Sequence, residues 1–181
     1  MKGVVFTEFF EFVEDSFSPE FLQEIINAAS LKSDGVYTAT GTYPFCEMGA
    51  LVSEVAKKSQ LDVTYLLKAF GAYLFKYFSS SNPEHFTSVD NCFDFLTFVE
   101  SHIHVDVRKL YPDAELPSFD CIEHSKDKYV MAYRSSRGLG DLCEGLIAGC
   151  LDFFGETATI TRKTKSTNPS TVIEFTLIKT S

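Results

Sequence analysis

The period of the hydrophobic pattern changes once along this chain, across the segment bounded by Pro112 and Pro117. Before that segment apolar residues recur three and four apart. One series is Leu66, Leu67, Phe70, Leu74 and Phe78; another is Leu96, Val99, Ile103, Val107 and Leu110. Such spacing gathers apolar side chains on one face of a helix. After it come short runs rich in β-formers, at Phe119 to Glu123, Tyr129 to Tyr133, Thr157 to Arg162 and Val172 to Ile178. An amphipathic helix over Leu139 to Phe154 separates the second run from the third. The expected fold is therefore α+β, a helical N-terminal half followed by a four-stranded antiparallel sheet with an inserted helix. Hairpins are expected around Ser125-Lys126-Asp127-Lys128 and around Thr167-Asn168-Pro169.

Punctuation divides the helical half. Gly3 to Val13 forms the first segment, and Pro19 opens a second through Ala29 at a first-turn position where its missing N–H costs nothing. Pro44 starts a third through Ser59, Asp62 caps a fourth through Ser79, and Ser79-Ser80-Ser81-Asn82-Pro83 ends it. Asp90 is the expected cap of the next helix.

Length and charge narrow the function classes. A chain of 181 residues is read as one domain, residues 1–181. Its net charge of −9 argues against a nucleic-acid partner, because affinity for phosphate backbones depends on basic patches. The opening stretch reaches acidic residues within eight positions, unlike a secretory signal, and no apolar run is long enough to span a bilayer. A cytoplasmic protein with no membrane association is expected. Cys46, Cys92, Cys121, Cys143 and Cys150 form no C-x-x-C pair, so each is read as a buried reduced thiol. With 18 Phe, 8 Tyr and no Trp, the interior suits either a generous core or a pocket for a large flat cofactor.

Four histidines are present, at 85, 102, 104 and 124. At about 100° per residue, His102 and His104 point roughly 160° apart, so one of them at most can face a pocket. His104 lies about 60° from Val107, at the edge of the apolar stripe, and shares its side of the helix with Thr97 and Glu100. A lone histidine in this setting is usually a satisfied, partly buried side chain. Thirteen positions after His104 comes Pro117, and sixteen later begins Tyr133-x-Ser135-x-Arg137; counting from His102 would place Glu115 where the proline should stand.

A histidine, a proline and Tyr-x-Ser-x-Arg at this spacing resemble the signature of the haem-nitric oxide/oxygen binding (H-NOX) family. Met1-Lys2-Gly3, Leu110-Tyr111-Pro112 and Glu144-Gly145-Leu146 extend the likeness over essentially the whole chain. The resemblance implies haem b buried between the helical part and the sheet, with a helical subdomain over about 1–60 and a haem-cradling part over about 61–181. By the same likeness His104 is the axial ligand of haem iron, the metal site, and Pro117 packs against the haem and bends it. Tyr133, Ser135 and Arg137 hold the propionates. On an extended strand these three would emerge on one face at about 6.5 to 7 Å intervals, two hydroxyl donors and a guanidinium fork suited to carboxylates.

The implied distal wall is Val5, Phe9, Leu74, Phe78, Leu142 and Leu146. Family members that hold oxygen stably carry a tyrosine where this chain has Leu142, so the likeness implies a nitric oxide sensor without catalytic activity. Tyr73 and Tyr77 are the nearest alternative donors. The implied partner is a histidine kinase or a cyclic-dinucleotide enzyme. No zinc is expected, since no cysteine follows Cys150. A carbon monoxide or oxygen sensor is the alternative on the same scaffold. A haem-dependent oxidase or peroxidase is disfavoured by the lack of distal acid–base groups.

Overall fold

The structure, a computed structural model, describes residues 1–167 and 170–180. Helices α1 (Gly3–Ser16), α2 (Pro19–Ala28), α3 (Phe45–Ser59) and α4 (Val63–Ser81) build the N-terminal part. The Ser18 side chain accepts from the Phe21 N–H, with Pro19 in the first turn, and Asp62 Oδ1 accepts from the N–H groups of Thr64 and Tyr65. Phe6, Phe9, Val13, Leu51, Val55 and Phe70 are almost wholly buried where these helices meet.

Past a 3₁₀ turn at Pro83–Phe86, one helical rod carries His104. It comprises α5 (Cys92–Phe98), a π-helical turn at Val99–Ile103, and α6 (His104–Leu110). Three sequence expectations change here. The cap is Asn91 rather than Asp90, its side-chain oxygen accepting from the Asp94 N–H at 3.0 Å. The helix is also not uniform, since the wide π turn alters the angular register just before His104. Leu96, Val99, Ile103 and Val107 still share a half-buried face, but Leu110 is 74% exposed and drops out of the stripe.

Strands β1 (Ser118–His124), β2 (Lys128–Ser135), β3 (Ala158–Thr167) and β4 (Ser170–Lys179) form an antiparallel sheet in the order β1-β2-β4-β3. The Ser125 N–H donates to the Lys128 carbonyl and closes the β1–β2 hairpin. β3 and β4 pair as expected, while Asn168 and Pro169 of the anticipated turn lie outside the described residues. Helix α7 (Gly140–Phe153) runs between β2 and β3. A second core joins it to the sheet through Tyr129, Met131, Ile147, Phe175 and Leu177.

α7 and α4 approach closely. A Cβ at Gly145 would overlap the Lys68 carbonyl oxygen, and one at Gly71 would overlap that of Leu142. Only glycine lets the two backbones touch in this way. All five cysteines are free thiols; Cys92, Cys143 and Cys150 are buried, whereas Cys46 and Cys121 are exposed, against the expectation for those two. Among the described residues no helix is long and apolar enough to cross a membrane.

Candidate functional site

A cavity of about 1160 Å³ lies between the start of α1, α4, the α5–α6 rod, β2 and α7. That is somewhat larger than most small-molecule pockets, which span roughly 300–1,000 Å³. Most of its lining is apolar, with polar groups concentrated on the His104 side and at the rim.

His104 lines the cavity with a side chain only 12% exposed. Its ring stacks on Phe119 at 5.3 Å between centroids, and its Nδ1 lies 2.8 Å from Glu100 Oε2. A carboxylate can only accept here, so Nδ1 carries the proton and Nε2 keeps its lone pair. Burial lowers the pKa of His104, with Glu100 opposing, and the imidazole is therefore neutral at pH 7. The Glu100 carboxyl is pushed up by its own burial, but hydrogen bonds from Arg108 and His104 outweigh this and hold it below the usual range. His102 is exposed, stacks on Phe98 at 4.3 Å and is absent from the cavity wall.

Tyr133, Ser135 and Arg137 all line the same cavity, as does Pro117. Only the first two belong to the strand. β2 ends at Ser135, whose Oγ accepts from the Arg137 N–H at 3.1 Å, and Gly138 then turns the chain at φ 64°. Arg137 thus reaches the cavity from a bend, in place of the third position of an alternating strand. Its guanidinium donates to the Glu115 carbonyl and to Glu115 Oε2, both at 2.7 Å, while its side chain stays 15% exposed. This fork already grips a carboxylate. Burial pushes the Tyr133 phenol up to about 12, so it is protonated and able to donate.

Of the residues anticipated for the distal wall, Val5, Leu74, Phe78, Leu142 and Leu146 line the cavity. Phe9 does not. It is 1% exposed inside the helical core, edge-on to Phe70 at 5.1 Å, because the α1 face that carries it turns towards the other helices. Tyr73 donates its hydroxyl to Asp15 Oδ2 at 2.9 Å, and Tyr77 packs beside Phe78; neither lines the cavity. Sequence reasoning missed Phe75, Cys143 and Ile147 on this wall and Phe119 beneath His104. Helical spacing offered a signal for the last of the α7 set, since Ile147 follows Cys143 by one turn. Phe119 offered none, because its stacking depends on where β1 starts.

An imidazole with a free Nε2, a large apolar chamber and a rim with hydroxyl and guanidinium donors together suit a flat prosthetic group bearing carboxylates. The donor set suits haem: one imidazole with a carboxylate behind it is a common arrangement for an axial ligand. The chain belongs to the haem-NO-binding family, whose profile matches residues 2–162. This family binds haem, and its domains are gas sensors rather than enzymes. The chain is 35% identical to the Fe(II) unliganded H-NOX protein of K. algicida, covering 100% of this chain and 97% of that one, with a TM-score of 0.91. It is 36% identical to the Shewanella woodyi H-NOX solved with IWP-051 in the Fe(II)CO state, covering 99% and 95%, with a TM-score of 0.85. The S. oneidensis H-NOX in the Fe(II)NO state is 23% identical over the whole of both chains, with a TM-score of 0.89, and attests the shared fold.

Proposed function

We propose that this protein is a nitric oxide sensor that acts as one cytoplasmic unit of residues 1–181 and carries haem b. The carrying observation is the pairing of a buried neutral His104 with an α4–α7 wall that lacks a strong hydrogen-bond donor. On that wall, among the described residues, the Cys143 thiol is the one polar group, and a thiol is a weak donor. Dioxygen bound to iron carries partial negative charge and needs a donor to stay; nitric oxide depends on one far less.

When bound, haem would supply an iron able to take a nitrogen donor from the protein and to bind a gas. His104 offers Nε2 to that iron, and Glu100 fixes the tautomer and orients the ring. Tyr133, Ser135 and Arg137 would donate to the propionates, for which Arg137 would give up its bond to Glu115 Oε2. Pro117, on the cavity lining, would pack against the group. Val5, Leu74, Phe78, Leu142 and Leu146 shape the gas pocket. With nitric oxide bound, His104 would be the residue that lets go, and α6 would then be free to change the surface presented to a partner. A histidine kinase or a cyclic-dinucleotide enzyme is the partner class. Carbon monoxide is the second gas the pocket would admit, consistent with the Fe(II)CO form of the Shewanella woodyi relative. Absorption spectra of the purified ferrous protein test the reading. Nitric oxide should move the Soret band to the shorter wavelength of a complex without His104; protein that retains no haem, or a band that does not respond, would refute it.

A further inference from the structure

Glu100 is a junction between three parts of the molecule. Its Oε2 accepts from His104 Nδ1 at 2.8 Å and from the Phe119 N–H at 3.2 Å, and its Oε1 accepts from the Arg108 guanidinium at 2.8 Å. The donors lie at the first residue of α6, near the start of β1, and in the last turn of α6. Glu100 itself stands in the π turn, a wide and irregular form of helix that recurs at functional sites. Phe119 is linked to His104 twice, through this carboxylate and through the stacked rings. In the β1–β2 register Phe119 is also the cross-strand partner of Tyr133.

We infer that Glu100 is a positioning residue that couples the place of His104 to the start of β1 and to Arg108 on the exposed side of α6. The inference rests on the reading of His104 as the axial ligand, and it says how release of that ligand leaves the pocket. Two carboxylate oxygens offer about four lone-pair sites, enough for three donors at once. If His104 moves and keeps its bond, it draws the carboxylate away from the Phe119 N–H. If the bond breaks, the carboxylate is free to swing towards Arg108, which is 45% exposed. In the first case, and in the second once the carboxylate swings, the start of β1 loses its acceptor, and the change reaches both Tyr133 at the rim and a charged group on the surface. A glutamine at this position has the same size but one acceptor oxygen for three donors, so the junction cannot be completed.

The test is amide hydrogen exchange at Phe119 in the haem-loaded ferrous protein, with and without nitric oxide, alongside the Soret band. In the native chain nitric oxide should accelerate exchange at Phe119 by about tenfold, the scale of one lost hydrogen bond. Glu100→Gln, which preserves size and should fold, is expected to exchange fast at Phe119 before any gas is added and to change less than about twofold on addition. Its iron–histidine stretching frequency should fall below that of the native protein, because an amide polarises imidazole less than a carboxylate does. A Soret band that shifts normally while Phe119 exchange stays constant would overturn the junction and leave the sensor reading intact. A Soret band that does not respond would remove both.

Discussion

The two sides of the cavity are built on opposite plans. The α4–α7 side is two long helices in backbone contact at Gly71 and Gly145, faced with Leu74, Phe78, Leu142 and Leu146. The His104 side is two seven-residue helices joined by a π turn, with a half-buried stripe and a carboxylate junction open to solvent at Arg108. Close packing leaves the first side few alternative arrangements. In the second, α5 is anchored by Cys92, Phe93 and Phe95, but the π turn and α6 have no fully buried residue and carry several exposed polar bonds, the features of a segment that opens locally at low free energy. The division suits the proposed sensor, in which the apolar, closely packed side would select the gas and the side that carries His104 would yield and report it.

Variants that strike each side separately can break this contrast. The largest effect is expected at the ligand. His104→Gly should abolish haem retention unless imidazole is supplied, whereas His102→Ala should leave the Soret band where it was, since His102 lies outside the cavity wall. Arg137→Ala comes next. It removes a charge-assisted contact typically worth about 1.5–3 kcal/mol, so haem loss to an apo-globin acceptor should accelerate roughly ten- to a hundredfold. An unchanged loss rate would mean that Arg137 serves Glu115 alone.

Stability separates the two sides further. Gly145→Ala forces a methyl group against the Lys68 carbonyl. Overpacking of this kind costs about 1–3 kcal/mol, and each kcal/mol lowers the melting temperature of a chain this long by about 2–4 °C. Val105→Ala on α6, at a position 37% exposed, should cost no more than about 0.5 kcal/mol. Comparable losses at the two sites would remove the contrast in packing. The smallest effect is expected for Glu115→Ala. Glu115 is 74% exposed, and its removal frees Arg137 for a propionate, so haem loss should slow by less than about threefold.

Much of this was legible in the sequence because it depends on local chemistry. Asp62 and Ser18 cap their helices for reasons visible within three residues, and the change of hydrophobic period places the sheet after Pro117. The register of Thr97, Glu100 and His104 also marked one polar edge of the rod. What could not be read depends on irregular local geometry or on contacts between distant segments. The π turn has no composition signal of its own. The departure of Arg137 from the strand follows from a Ser135 side chain bonding to the backbone two residues on, a local competitor of the sheet ladder. Phe9 was assigned to the cavity by likeness, but its ring is claimed by Phe70 from another helix. The engagement of Arg137 by Glu115, across 22 positions, is invisible to any periodicity.

Oxygen gives the most direct test of the selective wall. A missing hydrogen bond to a bound ligand forgoes about 1 kcal/mol or more in a dry pocket, and Tyr73, the nearest tyrosine on α4 besides Tyr77, spends its hydroxyl on Asp15. Leu142→Tyr should supply the missing donor and lengthen oxygen residence. The measurement is the absorption spectrum of the unmodified ferrous protein followed in air. It should stay five-coordinate or drift slowly to the ferric form without a stable oxy species. A long-lived oxy spectrum would contradict the account and place a donor on the α4–α7 side.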